Sequence, residues 1–146
     1  MVKTAFRTIA AVIAALVAGL LLVIGVELFS SVVHPIPSDF GNTPEAMCRH
    51  VENYPQWVLA AVVPMWGFAA FASTWIAQRI GNFVAAAIVG SLLLAAVAFN
   101  LSMLPYPAWF KIVNLLIFPA AIAAGSVLAR RRFSGLEHSV TRDVHA

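Results

Sequence analysis

The chain has 146 residues, of which 62% are hydrophobic and only 10% are charged, and its mean hydropathy is +0.90. This number of charged residues is too small to cover the surface of a soluble domain of this length. The composition therefore argues against a soluble protein and predicts one that lies in lipid. The net charge of +3 is concentrated near the predicted helix ends, which argues against nucleic-acid binding, and the single cysteine, Cys48, rules out a disulfide within the chain.

The first apolar segment follows Lys3 and Arg7 and runs from Thr8 to Val26. Because this stretch is longer than the apolar region of a typical signal peptide, it predicts a retained transmembrane helix over about 4–33.

Three further segments, at about 56–80, 83–104 and 107–128, have the roughly 20 mostly apolar residues that a membrane-spanning helix needs. The turn-forming stretches HPIPSDFGNTP, RIGN and LPYP separate the spans. The sequence therefore predicts an all-α, four-transmembrane-helix bundle over 1–132. It also predicts an outer loop at 34–54 and a polar tail at 133–146.

The distribution of basic residues predicts that both termini are cytoplasmic in a bacterial inner (plasma) membrane. With this orientation Arg49 and Lys111 lie outside, and the seven remaining basic residues lie inside. These seven are Lys3, Arg7, Arg79, Arg130, Arg131, Arg132 and Arg142.

Three of the predicted helices have small residues at four-residue spacing, which lets helix backbones approach closely in a membrane. The ridges are Ala11, Ala15 and Gly19 in the first helix, Ala69, Ser73 and Ala77 in the second, and Ala121, Gly125 and Ala129 in the fourth. They predict close packing of the bundle, with helix faces left over for another subunit.

Glu27 is the one charged side chain deep inside an apolar run, and Ser31 and His34 follow it on the same helix face. Asn100 and Asn114 lie at a similar predicted depth in the third and fourth spans. Because an unpaired carboxylate or amide is costly in lipid, we expect these groups to turn inward and meet near the outer face. The predicted cluster consists of Glu27, Asn100 and Asn114, with Ser30 or Ser31 and His34 at its mouth.

Two interpretations of this cluster are open at the level of sequence. Glu27 is either a protonated or hydrogen-bonded clasp between helices, or a titrating site for a proton or cation on a transport path, with His34 as a relay to the outside.

No cofactor is predicted, because the chain has no glycine-rich phosphate loop, no HExxH, no GxSxG and no CxxC. All four histidines lie outside the middle of the spans, which argues against haem ligation. Cys48 and His50 have no standard zinc spacing, so no metal site is predicted and the outer loop is interpreted as a solvated acidic loop. The expected partners are the lipid bilayer and either another membrane protein or a second copy of this chain. If the Cys48 thiol pairs at all, it forms a disulfide with such a partner.

The segments VELFSSVVHPIP and NLSMLPYPAWF resemble a group of small bacterial four-span membrane proteins without an assigned activity. The residues that carry the resemblance are Glu27, His34, Pro35, Pro37, Asn100, Leu101, Pro105, Pro107, Trp109 and Phe110. The likeness covers all four spans and implies the same fold. The group has a histidine where this chain has Tyr106, which weakens the case for a paired-histidine site.

Three functions follow as expectations. The first is an accessory or assembly subunit, or a small homo-oligomer, held by the polar cluster. The second is a proton- or cation-coupled transporter of small solutes that uses Glu27. Small multidrug transporters also have an essential glutamate in the first of four helices, but they are shorter, their glutamate lies nearer mid-membrane, and they lack a twenty-residue outer loop. The third is a membrane enzyme with an outer-face site in which Glu27 and His34 act as acid and base.

Overall fold

The computed structural model describes residues 2–37, 40–41 and 43–143, with side chains as far as Arg130. Five helices make up this part of the chain, and no strand occurs in it. They are α1 (Val2–Val33), α2 (Pro44–Glu52), α3 (Gln56–Ile80), α4 (Phe83–Met103) and α5 (Ala108–Asp143).

Four of these helices are long and apolar enough to cross a membrane: α1, α3, α4 and the Ala108–Arg130 part of α5. The predicted all-α class is therefore confirmed, and the four segments begin and end close to the predicted spans. The backbone of α5 continues to Asp143, so the described part of the predicted polar tail at 133–146 is helical. This stretch contains no proline, and its one glycine, Gly135, disfavours a helix by only about 1 kcal/mol.

α3 lies at the centre of the bundle and packs against α1, α4 and α5. α4 also contacts α1 and α5, whereas no contact joins α1 to α5 within the described residues. α1 and α5 therefore occupy opposite corners. This arrangement decides which polar side chains can meet.

The small-residue ridges lie at the helix contacts, as predicted. Ala11, Ala15 and Ala77 are fully buried, and Gly19 faces Ser73 so closely that an added Cβ would lie 2.5 Å from the Ser73 hydroxyl oxygen. Where lipid removes the hydrophobic drive between helices, this close van der Waals contact holds the bundle together.

Arg7 ties α1 to the turn between α3 and α4. Its Nε donates to the Ile80 carbonyl at 2.7 Å, and one of its terminal nitrogens donates to the Gly81 carbonyl at 3.0 Å. Asn82 caps α4 by accepting from the Ala85 amide and donates to the Thr8 hydroxyl at 2.9 Å. We call this end of the bundle the Arg7 end and the opposite one, which carries α2, the α2 end.

The predicted outer loop at 34–54 contains a helix, α2, that sequence analysis missed. Thr43 is its N-cap and accepts from the Ala46 amide, Pro44 occupies the first turn, and Glu45 follows with a charge that favours a helix N-terminus. The Thr-Pro-Glu signal was present in the sequence. The interpretation as a solvated loop is corrected, because His50 and Val51 of α2 are buried against the bundle.

Candidate functional site

Glu27 lies on α1 six residues before its end at Val33, about 9 Å along the helix axis from the α2 end. Its neighbours Val26 and Ser30 are buried, whereas Glu27 itself is exposed at the edge of the α1 contact surface. The carboxylate borders a cavity of about 210 Å³, which we call the Glu27 cavity.

The Glu27 cavity lies between α1 and α4 over the α2-end half of the bundle, with α3 and α5 behind it. Its lining comprises Gly19, Val23, Glu27, Trp66, Ala69, Ala70, Leu93, Ala96, Val97, Asn100 and Phe118. Towards the Arg7 end the same helices are tightly packed through Ala15, Ala86 and Val89, each at most 1% exposed. Because Glu27 and Ala96 are exposed at its rim, the cavity opens sideways between α1 and α4.

Two buried polar atoms among the lining residues have no hydrogen-bond partner. They are the indole Nε1 of Trp66, which can only donate, and the amide Oδ1 of Asn100, which can only accept. Most buried polar atoms in native proteins are paired, so these two are exceptions, and each has almost no surface open to the cavity.

The Glu27 carboxylate has no counter-charge in contact with it among the described residues. Its charge acts on the phenols of Tyr54, between α2 and α3, and Tyr106, between α4 and α5. Burial raises the pKa of both phenols, and the negative charge of Glu27 raises it further. Tyr54 is in turn hydrogen-bonded to Ser30. Both phenols therefore stay neutral at physiological pH and can share a polar layer with Glu27.

Asn114 does not join Glu27 and Asn100. It lies on α5, which has no contact with α1, and it is fully buried, with its Nδ2 donating to the Phe110 carbonyl at 2.8 Å. Its Oδ1 is unpartnered, but Asn114 does not line the Glu27 cavity. Of the three residues, only Glu27 and Asn100 line the same cavity, and the Oδ1 of Asn100 has no hydrogen-bond partner. The reason is that Phe110, Asn114 and Phe118 follow one another at four-residue spacing and so share one face of α5. That face packs into the bundle.

Ser31 and His34 also lie outside the Glu27 cavity. Ser31 is exposed and its hydroxyl donates to the Leu28 carbonyl of its own helix, so Ser30 takes the buried position instead. His34 stacks on His50 of α2 with ring centroids 4.4 Å apart, and its Nε2 lies 3.4 Å from the His50 carbonyl oxygen.

Sequence analysis missed Trp66, Tyr54 and Tyr106 as members of this region. The available signal was Trp66, which lies ten residues inside α3 although tryptophans in membrane proteins favour the interface. The rings of Tyr106, Phe110 and Phe118 meet Trp66 edge-on at 6.5, 5.7 and 6.4 Å between centroids. This packing fixes the indole plane beside the cavity.

His34, His50, Tyr54 and Phe40 form a histidine cluster that joins α2 to the bundle. The Tyr54 ring centroid lies 4.6 Å from that of His34 and 5.3 Å from that of His50. Burial lowers the pKa of His50, and the neighbouring charge of His34 lowers it further. The folded protein therefore favours a neutral His50.

We expect acidification to loosen α2. Because the folded-state pKa of His50 lies below its unfolded value, this group's contribution to stability is complete above about pH 6.5 and is lost as the pH falls below it. Amide hydrogen exchange of the Ala46–Val51 segment, corrected for intrinsic rates, should accelerate severalfold between pH 7.5 and pH 5.5. The His50→Gln variant should lose most of this pH dependence, and an unchanged profile in that variant would assign the effect to another group.

No group of three or more histidine, cysteine, aspartate or glutamate side chains with metal-binding proximity occurs among the described residues. Cys48 is a half-buried free thiol on α2.

Comparison with protein-family models, with curated proteins and with solved structures finds no match to this chain. The functional argument therefore depends on the geometry of the Glu27 cavity.

Proposed function

We propose that this chain is a small polytopic protein of the bacterial inner membrane that binds a cationic amphiphile from the bilayer, without catalysis. The α2 end faces outward and both termini lie in the cytoplasm, since Lys3, Arg7 and Arg79 lie at the Arg7 end and favour the cytoplasmic side. The ligand's ammonium group pairs with Glu27, and its alkyl chain extends between α1 and α4 into lipid.

The observation that supports this proposal is a carboxylate without a counter-charge at the open edge of a cavity lined mostly by apolar side chains. A charge at this depth is unfavourable in lipid unless it is paired, and charged residues inside membrane spans commonly mark binding or transport sites. A protonated amine supplies the missing charge. The sideways opening provides access from the bilayer without a water-filled channel.

The packed Arg7 end distinguishes binding from translocation. A coupled transporter would have to open the layer of Ala15, Ala86 and Val89, which closes the path from Glu27 toward the cytoplasm. Exchange with the outer half of the bilayer requires no such rearrangement. We therefore propose lateral binding and release rather than transport across the membrane.

Binding of radiolabelled dodecylamine to the full chain in lipid nanodiscs tests the proposal. Partition into empty nanodiscs is subtracted as the background. The wild type should show saturable binding at pH 7, where the amine is protonated, and Glu27→Gln should weaken it by about tenfold, as expected when a charge-assisted hydrogen bond is lost.

Ser31→Ala is the matched control, because Ser31 lies one turn from Glu27 on the same helix but outside the cavity. It should bind dodecylamine like the wild type. Absence of saturable binding to the wild type, or equal binding to Glu27→Gln, would refute the proposal.

The accessory-subunit function is the second candidate, and the exposure of Glu27 also favours it. A lysine or arginine on a partner helix, or on a second copy of this chain, would pair with the Glu27 carboxylate and neutralise its charge, as a ligand amine would. Purification in mild detergent, followed by size-exclusion chromatography with light scattering, should then show a stoichiometric complex or homo-oligomer that dissociates in Glu27→Gln. A monomer that nevertheless binds dodecylamine would favour the first candidate.

A further inference from the structure

The Arg7 end of the bundle contains a second cavity, of about 270 Å³, which shares no residue with the Glu27 cavity. Its lining consists of Lys3, Thr4, Arg7, Gly81 and Asn82, and we call it the Lys3 cavity. We propose that the Lys3 cavity binds the phosphate group of an anionic phospholipid whose acyl chains lie in the bilayer beside the bundle. This site is independent of the ligand proposed for Glu27.

Two cationic side chains of α1 border the Lys3 cavity, and both are accessible to a ligand. Lys3 and Arg7 are exposed. They are four residues apart on one helix, so their Cβ atoms lie about 5–6 Å from each other on the same face. The two non-bridging oxygens of a phosphate diester share one negative charge, so a single phosphate group can accept hydrogen bonds from both cations at once.

Arg7 keeps hydrogen-bonding capacity for a ligand although it ties α1 to the turn between α3 and α4. A guanidinium group has five N–H donors, and Arg7 uses two of them in its bonds to the Ile80 and Gly81 carbonyls. The other three make no hydrogen bond within the described residues and can donate to phosphate oxygens. Because the two existing bonds already hold the guanidinium in place, little side-chain entropy is lost when a ligand binds.

Lys3 has no carboxylate partner among the described side chains. The acidic side chains that the structure describes are Glu27, Glu45 and Glu52, and all three lie in the α2-end half of the molecule. An anion that enters the Lys3 cavity therefore meets two positive charges and no negative one from this part of the chain. The exposed Thr4 adds a hydroxyl group at the same lining.

The surroundings of the Lys3 cavity favour a lipid over a soluble anion. Phe6, Ile80 and Phe83 are sequence neighbours of cavity residues and are 74%, 47% and 59% exposed. A phospholipid can place its acyl chains against these apolar side chains, whereas a free phosphate ion uses none of them. The cavity volume of about 270 Å³ is below the roughly 300–1,000 Å³ of sites that enclose a drug-sized ligand, so the cavity encloses a head group only.

The charge of this end of the bundle selects lipids with a net negative charge. The Arg130 guanidinium carbon lies 4.4 Å from the Phe83 ring centroid and adds a third cation near the cavity. A zwitterionic lipid carries its own cation beside the phosphate, so it gains less from this positive region. Basic pockets between helices on the cytoplasmic side of a membrane bind anionic head groups for the same reason.

Binding of radiolabelled dioleoylphosphatidylglycerol to the full chain in dodecyl maltoside micelles tests the inference, with the unlabelled lipid and unlabelled dioleoylphosphatidylcholine as competitors. The wild type should bind the label saturably and prefer the anionic competitor by about tenfold, since two cations contribute. Lys3→Gln removes one cation without removing a hydrogen bond of the fold. It should lower the affinity about fivefold, which is the effect of one basic residue near a charged membrane surface, and Lys3→Arg should restore it.

Lys111→Gln is the matched control, because Lys111 lies near the start of α5 at the α2 end and does not border the Lys3 cavity. It should bind the anionic lipid like the wild type. Arg7→Gln should weaken binding at least as much as Lys3→Gln, since it removes a charge and three donors. Because Arg7 also joins α1 to the α3–α4 turn, Lys3→Gln provides the result if Arg7→Gln does not fold.

Inorganic phosphate, added at constant ionic strength, distinguishes the two sources of a phosphate group. The lipid should stay bound at millimolar phosphate, and its displacement would assign the cavity to a soluble anion and overturn the inference. Equal affinities for the two lipids, or equal losses in Lys3→Gln and Lys111→Gln, would overturn it as well. Each of these outcomes leaves the dodecylamine test of the proposed function unaffected, because the two cavities share no residue.

Discussion

Replacing Phe110 with alanine should lower the free energy of unfolding by about 3 kcal/mol, near the lower end of the range for buried Phe→Ala changes. Phe110 is 0% exposed and is the largest fully buried side chain in the described part of the chain. Its ring centroid lies 4.8 Å from that of Tyr106 and 5.7 Å from that of Trp66.

The lower end of that range applies because the unfolded reference state in a membrane also surrounds the side chain with hydrocarbon. The loss therefore comes from vacated van der Waals contacts and the remaining cavity, with little contribution from transfer out of water.

Titration with dodecyl sulfate in mixed micelles, followed by near-UV circular dichroism, measures this change. Leu116→Ala is the matched control on the same helix, since Leu116 is 68% exposed and should change stability by less than about 0.5 kcal/mol. Equal effects of the two substitutions would contradict the assignment of Phe110 to the core.

Replacing Gly125 with alanine should destabilise the protein by about 2–3 kcal/mol through overpacking between α3 and α5. An added Cβ would lie 2.5 Å from the Phe71 carbonyl oxygen and 3.2 Å from the Trp75 amide nitrogen, and it would also collide with the Thr74 hydroxyl. Because two of these atoms belong to the α3 backbone, no rotamer change relieves the clash and the helices must separate.

Gly25→Ala provides the matched control, because an added Cβ at Gly25 meets nothing within 4 Å. There the lower helix propensity of glycine dominates, so alanine should stabilise the protein by about 0.5–1 kcal/mol. The same titration measures both variants. If Gly125→Ala proved as benign as Gly25→Ala, the close approach of α3 and α5 would be refuted.

The two sets of predictions separate folding from binding. Phe110 and Gly125 test the packing that positions the Glu27 cavity, whereas Glu27 tests what the cavity binds.

The site was predicted only in part, and the residues show why. Glu27 and Asn100 were chosen from their depth in the sequence, and they do line one cavity. Asn114 has a comparable depth but lies on the helix diagonal to α1. Depth along a span can be counted from its end, whereas the choice of neighbouring helices depends on packing between segments distant in sequence.

Trp66 and α2 were missed for different reasons. Trp66 is one of several tryptophans, and only its tertiary neighbours show that its N–H is buried without a partner. The Thr43–Glu45 capping signal for α2 was local and readable, but the burial of His50 against His34 and Tyr54 required the bundle to be in place.

Hydropathy alone determined that this chain forms long apolar helices that pack through small residues. The reason is local: in lipid each backbone amide and carbonyl must be paired within its own segment, which leaves the helix as the available structure for such a segment. The tertiary structure alone decided that α3 is central, that α1 and α5 are diagonal, and that Glu27 and Asn100 line one cavity whereas Asn114 does not. Those outcomes depend on which small-residue ridges face one another, and this is a property of pairs of helices rather than of any single segment.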